Sequence, residues 1–204
     1  MTPDEVETFG RCISVGGVAL FPSDTVYGLA TEPDSREGVH RLYELKGRPP
    51  DRPAAVMFFD LDLALAALPE LGERTRSAVM SLLPGPVTLL LPNPARRYPL
   101  ACGPRPERLG LRVPMLDGPL APLGAVRWPV LQSSANRSGG ADPRRIVDID
   151  PSIRAGVDLL IDAGELPGVA STVVDLSSFE ESGEHEVIRV GALDAAAVTK
   201  ALRR

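Results

Sequence analysis

An α/β fold built on a single mixed sheet is what this sequence predicts, and three observations carry the prediction. Short apolar runs such as Ala54–Phe59 and Val87–Leu91 are interleaved with longer stretches whose apolar residues recur at helical spacing. Several of the strand-like runs also follow one another with no helical stretch between them, which a regular doubly wound parallel sheet does not accommodate. Finally, 204 residues with 44% hydrophobic and 24% charged side chains are enough, and of the right balance, to bury one large core in one domain.

Taken in order, residues 3–14 open with Thr2 as a cap and Pro3 at the first helical position, so a helix starts there. Gly16 to Pro22 reads as a turn, a short buried strand and a stop. Ser23 to Ala30 is a polar loop that runs into an apolar segment. Residues 35–45 place Val39, Leu42 and Tyr43 on one helical face. Lys46 to Pro53 ends that helix, and 54–59 is a buried strand. Helices are expected over 60–68 and 71–83, stopped by Pro84-Gly85-Pro86. Strands follow at 87–91 and 109–113, separated by a basic, loop-like stretch over 93–108. Further strands are expected at 129–134, 157–162, 171–176 and 186–190, and a terminal helix over 193–203.

Composition narrows the function classes. A net charge of −5 argues against a general nucleic-acid coat, though not against a local basic patch. No run of apolar residues approaches a membrane span, and the acidic N-terminus is unlike a secretory signal. Cys12 and Cys102 are too few for a disulfide framework or a four-cysteine zinc site, so a reducing, cytoplasmic setting is expected. His40 and His185 stand far apart without nearby cysteines, which disfavours a structural metal centre and a histidine triad. Neither Gly-x-x-x-x-Gly-Lys-[Ser/Thr] nor Gly-x-Gly-x-x-Gly occurs, so any nucleotide is held without those loops.

Five clusters could carry chemistry. Lys46, Arg48 and Arg52 bring cations to the end of a helix, where they suit a polyphosphate or merely complement the helix dipole. Ser134-Ala135-Asn136 sits just past a buried strand, the usual ligand edge of an α/β sheet; its hydroxyl and amide suit phosphate oxygens or an adenine edge, or simply a turn. Asp24 and Thr25 could orient a small polar substrate or cap a turn. Ser171 to Asp175 alternates hydroxyls with β-branched residues, as strands often do. Arg112 lies inside an apolar segment and needs a partner, either a ligand carboxylate or an internal Asp or Glu.

Read together, Pro22–Leu29, Lys46-Gly47-Arg48-Pro49, Pro84-Gly85-Pro86-Val87-Thr88, Arg112-Val113-Pro114, Ser134-Ala135-Asn136, Ser171–Asp175 and Arg189-Val190-Gly191 resemble, in order, the motifs of the YrdC-like family, over about residues 10–192 of a domain spanning 1–204. The resemblance implies a twisted mixed sheet with flanking helices and a concave, positively charged cleft. It implies synthesis of L-threonylcarbamoyladenylate from L-threonine, bicarbonate and ATP, with magnesium accompanying the ATP and pyrophosphate released. The product would serve threonylcarbamoyladenosine formation in tRNA, with downstream tRNA-modification proteins as partners. It places Lys46, Arg48, Arg52, Ser134, Asn136 and Arg189 on ATP, and Thr25, Arg112 and Ser171 on threonine. No catalytic acid or base is assigned, because chemistry of this kind is mainly positioning and charge neutralisation.

The chain departs from the family pattern at three points. Arg52 replaces a usual lysine, Arg108 a usual Ser or Thr, and Met57 a histidine that would contact threonine; a thioether cannot replace that hydrogen bond. Two other readings remain beside the synthase. One is a relative that makes or transfers another carbamoyl-adenylate. The other is a double-stranded RNA-binding protein using Arg105, Arg108, Arg112, Arg127, Arg144 and Arg145 as a basic face.

Overall fold

The computed structural model describes residues 1–203. Its first helix, α1 (Pro3–Ser14), starts where the cap residues dictate: Thr2 accepts from the Glu5 amide, and the Glu5 carboxylate accepts from the Thr2 amide. Strands β1 (Ala19–Pro22) and β2 (Tyr27–Thr31) follow, then α2 (Arg36–Lys46), capped by Ser35 and ended by Gly47 in the left-handed conformation (φ 57°). That conformation costs a glycine little and turns the chain sharply after Lys46. Next come β3 (Ala55–Met57), α3 (Leu61–Ala67), α4 (Glu73–Leu82), β4 (Val87–Pro92), the short α5 (Pro99–Cys102) and β5 (Arg108–Arg112). A 3-10 segment (Gly118–Ala125) leads to β6 (Val130–Ser134), α6 (Pro151–Gly156), β7 (Leu159–Leu160), β8 (Thr172–Asp175), α7 (Phe179–Ser182), β9 (Glu186–Arg189) and α8 (Ala195–Leu202).

The strands form one sheet in the order β7-β1-β2-β6-β3-β5-β4-β8-β9. Pairs β1/β7, β3/β5 and β4/β8 are parallel and the others antiparallel, so the sheet is mixed, as the sequence predicts. One face is covered along its length. Leu20, Leu29, Val56, Leu89, Leu91, Leu109, Leu111 and Val174 pack there against residues of α2, α4, α6 and α8, among them Leu42, Val79, Ile153 and Val198. Each such side chain contributes about 1.5–3 kcal/mol on leaving water. The opposite face is covered only in part, where Phe9 and Ile13 of α1 and Leu120 and Leu123 of the 3-10 segment pack on Ala19, Phe21, Ala30, Met57 and Val130.

Several boundaries differ from those expected. Phe58 and Phe59 leave β3 although both are buried, and β7 keeps two residues of the run 157–162 because it is an edge with one neighbour. The stretch 93–108, expected as loop, contains α5, which begins at Pro99. The segments 118–125, 146–148 and 151–156 are helical beyond what periodicity suggested; Asp150 caps α6 with Pro151 in its first turn, a local signal that apolar spacing does not contain.

Candidate functional site

Strand alternation builds the site. On β4, Leu89 faces the covered side and Thr88 and Leu90 the other; on β5, Leu109 and Leu111 alternate with Gly110 and Arg112. The side chains on the second face, beyond the reach of α1, line a cavity of about 250 Å3 that opens to solvent. Its walls include Arg48, Arg112 and Arg189, the hydroxyls of Thr88, Ser133, Ser134 and Ser171, the Gln132 amide and the carboxylate of Asp142. Gly110 lines the cavity, and a Cβ there would lie 3.3 Å from the carbonyl oxygen of Ala54, just before the neighbouring strand β3, closer than ordinary contact.

Arg112 is almost completely buried, and its partner is internal. Its Nη2 donates to Asp24 Oδ1 at 2.5 Å and to Thr25 Oγ1 at 3.3 Å, while Asp24 Oδ2 accepts from the Met115 amide at 3.1 Å. Of the two partners the sequence left open, the structure supplies the carboxylate itself. Burial pushes the Asp24 carboxyl up, against the pull of Arg112 and the Met115 amide, and draws the guanidinium down. Arg112 Nε has no hydrogen-bond partner among the described residues. Thr25 is buried and also meets Ser23 Oγ at 3.2 Å.

Lys46, the last residue of α2, is buried behind the cavity wall. Its ammonium contacts the Ser134 carbonyl, the Asn136 carbonyl at 2.8 Å and Asn136 Oδ1 at 3.1 Å. Burial is the main reason it is lowered to about 7; Arg48 adds to the fall and Asp142 opposes it. Arg48 stacks 5.6 Å from the Tyr43 ring centroid and reaches Ser133 Oγ at 3.5 Å and the Pro53 carbonyl. The Arg52 side chain is exposed; its carbonyl accepts from Tyr43 Oη at 2.7 Å and from Arg48 Nε at 3.3 Å. On the far wall Thr88 Oγ1 and Ser171 Oγ lie 2.8 Å apart, and Arg189 donates twice to the Ser171 carbonyl, at 3.2 and 2.8 Å.

The expected site residues thus fall into two groups. Arg48, Ser134, Arg112, Ser171 and Arg189 line one cavity, whereas Lys46, Asn136 and Thr25 are bonded to residues of its wall and Arg52 is exposed beside it. Gln132 and Asp142 were not singled out from the sequence. Gln132 could have been, as the one polar side chain inside Val130-Leu131-Gln132, by the reasoning that marked Arg112; Asp142 carries no such signal in its Gly- and Pro-rich loop.

Of the arginines expected on a basic face, Arg108 pairs with Asp175, Arg144 with Glu165 and Arg145 with Asp148, and Arg112 is buried with Asp24. Met57, which stands where the resemblance puts a threonine-contacting histidine, is fully buried and does not line the cavity. It sits opposite Arg112 and Val130 in register and packs in the cluster that contains Phe9, Phe21 and Phe59.

Comparison with known proteins agrees with this architecture. The Sua5/YciO/YrdC family, described as telomere recombination, matches residues 11–191. A threonylcarbamoyl-AMP synthase of Xanthomonas campestris pv. campestris is 32% identical over 83% of this chain and 90% of its own length. A threonylcarbamoyl-AMP synthase of Pyrococcus abyssi is 29% identical over 82% of this chain, which spans about half of that relative (49%). The crystal structure of P. abyssi Sua5 complexed with L-threonine superposes with a TM-score of 0.84 at 26% identity, covering 98% of this chain and 58% of that one.

Proposed function

The chain belongs to the Sua5/YciO/YrdC family, and from that premise we propose that it is an L-threonylcarbamoyladenylate synthase acting in tRNA modification. The observation that carries the reading is the convergence of three guanidinium groups and a row of hydroxyls on one cavity. An adenylate-forming reaction on a carbamate brings together a carboxylate, a carbamate and a triphosphate, all anionic, and arginine forks neutralise and orient such groups. The relatives named as threonylcarbamoyl-AMP synthases and the threonine-bound P. abyssi structure supply the substrate class.

In this reading the threonine amine adds to bicarbonate with loss of water, giving a carbamate that decomposes unless shielded from bulk solvent. A carbamate oxygen then attacks the α-phosphorus of ATP; the new P–O bond forms as the bond to pyrophosphate breaks. Arg112, held by Asp24, and Ser171, held beside Thr88, face the amino acid, with Thr25 behind Arg112. Arg48, Ser134 and Arg189 face the nucleotide, with Lys46 and Asn136 behind Ser134 and Arg52 at the rim. Magnesium arrives on the triphosphate as part of the substrate. Positioning and neutralisation then supply most of the barrier reduction. The product goes to partner proteins that pass the threonylcarbamoyl group to tRNA.

The test is pyrophosphate release from Mg·ATP and bicarbonate with L-threonine, L-serine or no amino acid. Release that requires both L-threonine and bicarbonate is expected. Turnover indifferent to the amino acid would overturn the assignment.

A further inference from the structure

We propose that Lys46 is a positioning residue, a tripod that sets the Ser134–Asn136 turn from behind the cleft and meets no ligand itself. The inference rests on the synthase reading only for which ligand that turn serves.

An ammonium has three N–H groups, and three protein oxygens face this one: the Ser134 carbonyl, the Asn136 carbonyl at 2.8 Å and Asn136 Oδ1 at 3.1 Å. Its donors are therefore committed before any ligand arrives. The side chain is 2% exposed and does not line the cavity, whereas Arg48, two residues on, does. The turn it grips is bonded on every side. Ser134 Oγ donates to Asn136 Oδ1 at 2.6 Å, Asn136 Nδ2 donates to the Gly140 carbonyl at 2.6 Å, and the Ala135 amide donates to the Tyr27 carbonyl at 2.8 Å. The Lys46 carbonyl itself accepts from the Ser138 amide at 2.8 Å, so main chain and side chain of one residue hold both ends of the turn. Without Lys46, two main-chain carbonyls lose their charged donor, and the Ser134 hydroxyl loses its fixed direction.

The tripod also depends on a proton. A neutral amine has two N–H groups and cannot bond three acceptors. The charged groups around it are Arg48 on the following loop, Asp142 across the cleft, and Arg137, whose guanidinium lies beside Gly47. Because burial brings the ammonium to about 7, the turn is expected to loosen as the pH rises through neutrality.

The experiment is amide hydrogen exchange over residues 134–140 in the wild type and in Lys46→Met, at about pH 6 and pH 8.5, read as protection factors so that intrinsic exchange cancels. Mg·ATP titrations are run on the same samples. At pH 6 the substitution is expected to lower protection of the turn about tenfold or more, the loss of one charge-assisted hydrogen bond. The wild type alone is expected to lose protection between the two pH values. If Lys46 instead bound phosphate directly, Lys46→Met would weaken Mg·ATP and leave protection of 134–140 unchanged, which overturns the proposal. A wild-type turn equally protected at both pH values overturns the proton dependence without relying on any variant. Protection that behaves as expected in a protein that binds no Mg·ATP would sink the nucleotide reading and leave the tripod standing.

Discussion

Asp24→Ala removes the carboxylate from a guanidinium that is 3% exposed. The lost interaction is a 2.5 Å ion pair, and the alanine also strips the Met115 amide of its acceptor. An uncompensated buried charge of this kind costs about 3–5 kcal/mol. For a chain of this length each kcal/mol moves the melting temperature by about 2–4 °C, so a fall of roughly 6–20 °C is expected. Equilibrium urea unfolding with fluorescence of Trp128, the one tryptophan, gives the free energy directly. The companion variant Asp24→Ala/Arg112→Met replaces the pair by apolar groups and should recover much of the loss, since the charge is then gone as well. A single substitution costing less than about 1 kcal/mol, or a double variant no better than the single, would show that the pair is not buried as described.

Other expectations are independent of that pair. Arg48→Ala should weaken Mg·ATP by about 10- to 100-fold in calorimetric titration while leaving the urea midpoint near the wild-type value, because it deletes a cavity-wall guanidinium and little core; unchanged affinity would remove Arg48 from the nucleotide subsite. For Lys46 the folded value of about 7 lies below the unfolded 10.5, so between those limits the unfolded chain binds the extra proton and stability rises with pH. Lys46→Met should flatten that rise, on the order of 1–3 kcal/mol between pH 7 and 9.5, in urea midpoints taken across the window. Burial raises both thiols, so Cys102 should resist a maleimide in the native protein at pH 7 and label at once on unfolding; rapid native labelling of Cys102 would contradict its burial.

Much of the fold was legible because the strands announce themselves twice, by apolar runs and by the prolines and glycines that bound them. Val87–Leu91 between Pro86 and Pro92 is an example, and it reappears as β4. The order of strands in the sheet was not legible, since pairing β3 with β5 and β4 with β8 is decided by contacts far apart in sequence. In the site, Arg112 stood out as a charge in an apolar strand, but nothing local said that Asp24 would answer it across 88 positions. Lys46 read as a ligand cation because residue type and position suggested it; that its ammonium would meet three carbonyl-type oxygens depends on how α2 meets the end of β6. Met57 shares the cavity's face of β3 with Ala55 and pairs with Arg112, but the cluster around Phe9 covers it, which a match to a motif position does not reveal.

The central claim is that the cleft joins L-threonine, bicarbonate and ATP into one adenylate. The most direct measurement supplies 13C-bicarbonate with Mg·ATP and L-threonine, quenches rapidly and seeks the label by mass spectrometry in a threonylcarbamoyl-AMP species. The expected result is a labelled adenylate formed in step with pyrophosphate, absent without L-threonine and sharply reduced in the Arg112→Met variant. Mg·ATP binding with no labelled adenylate, or a labelled adenylate that forms equally well without L-threonine, would contradict it.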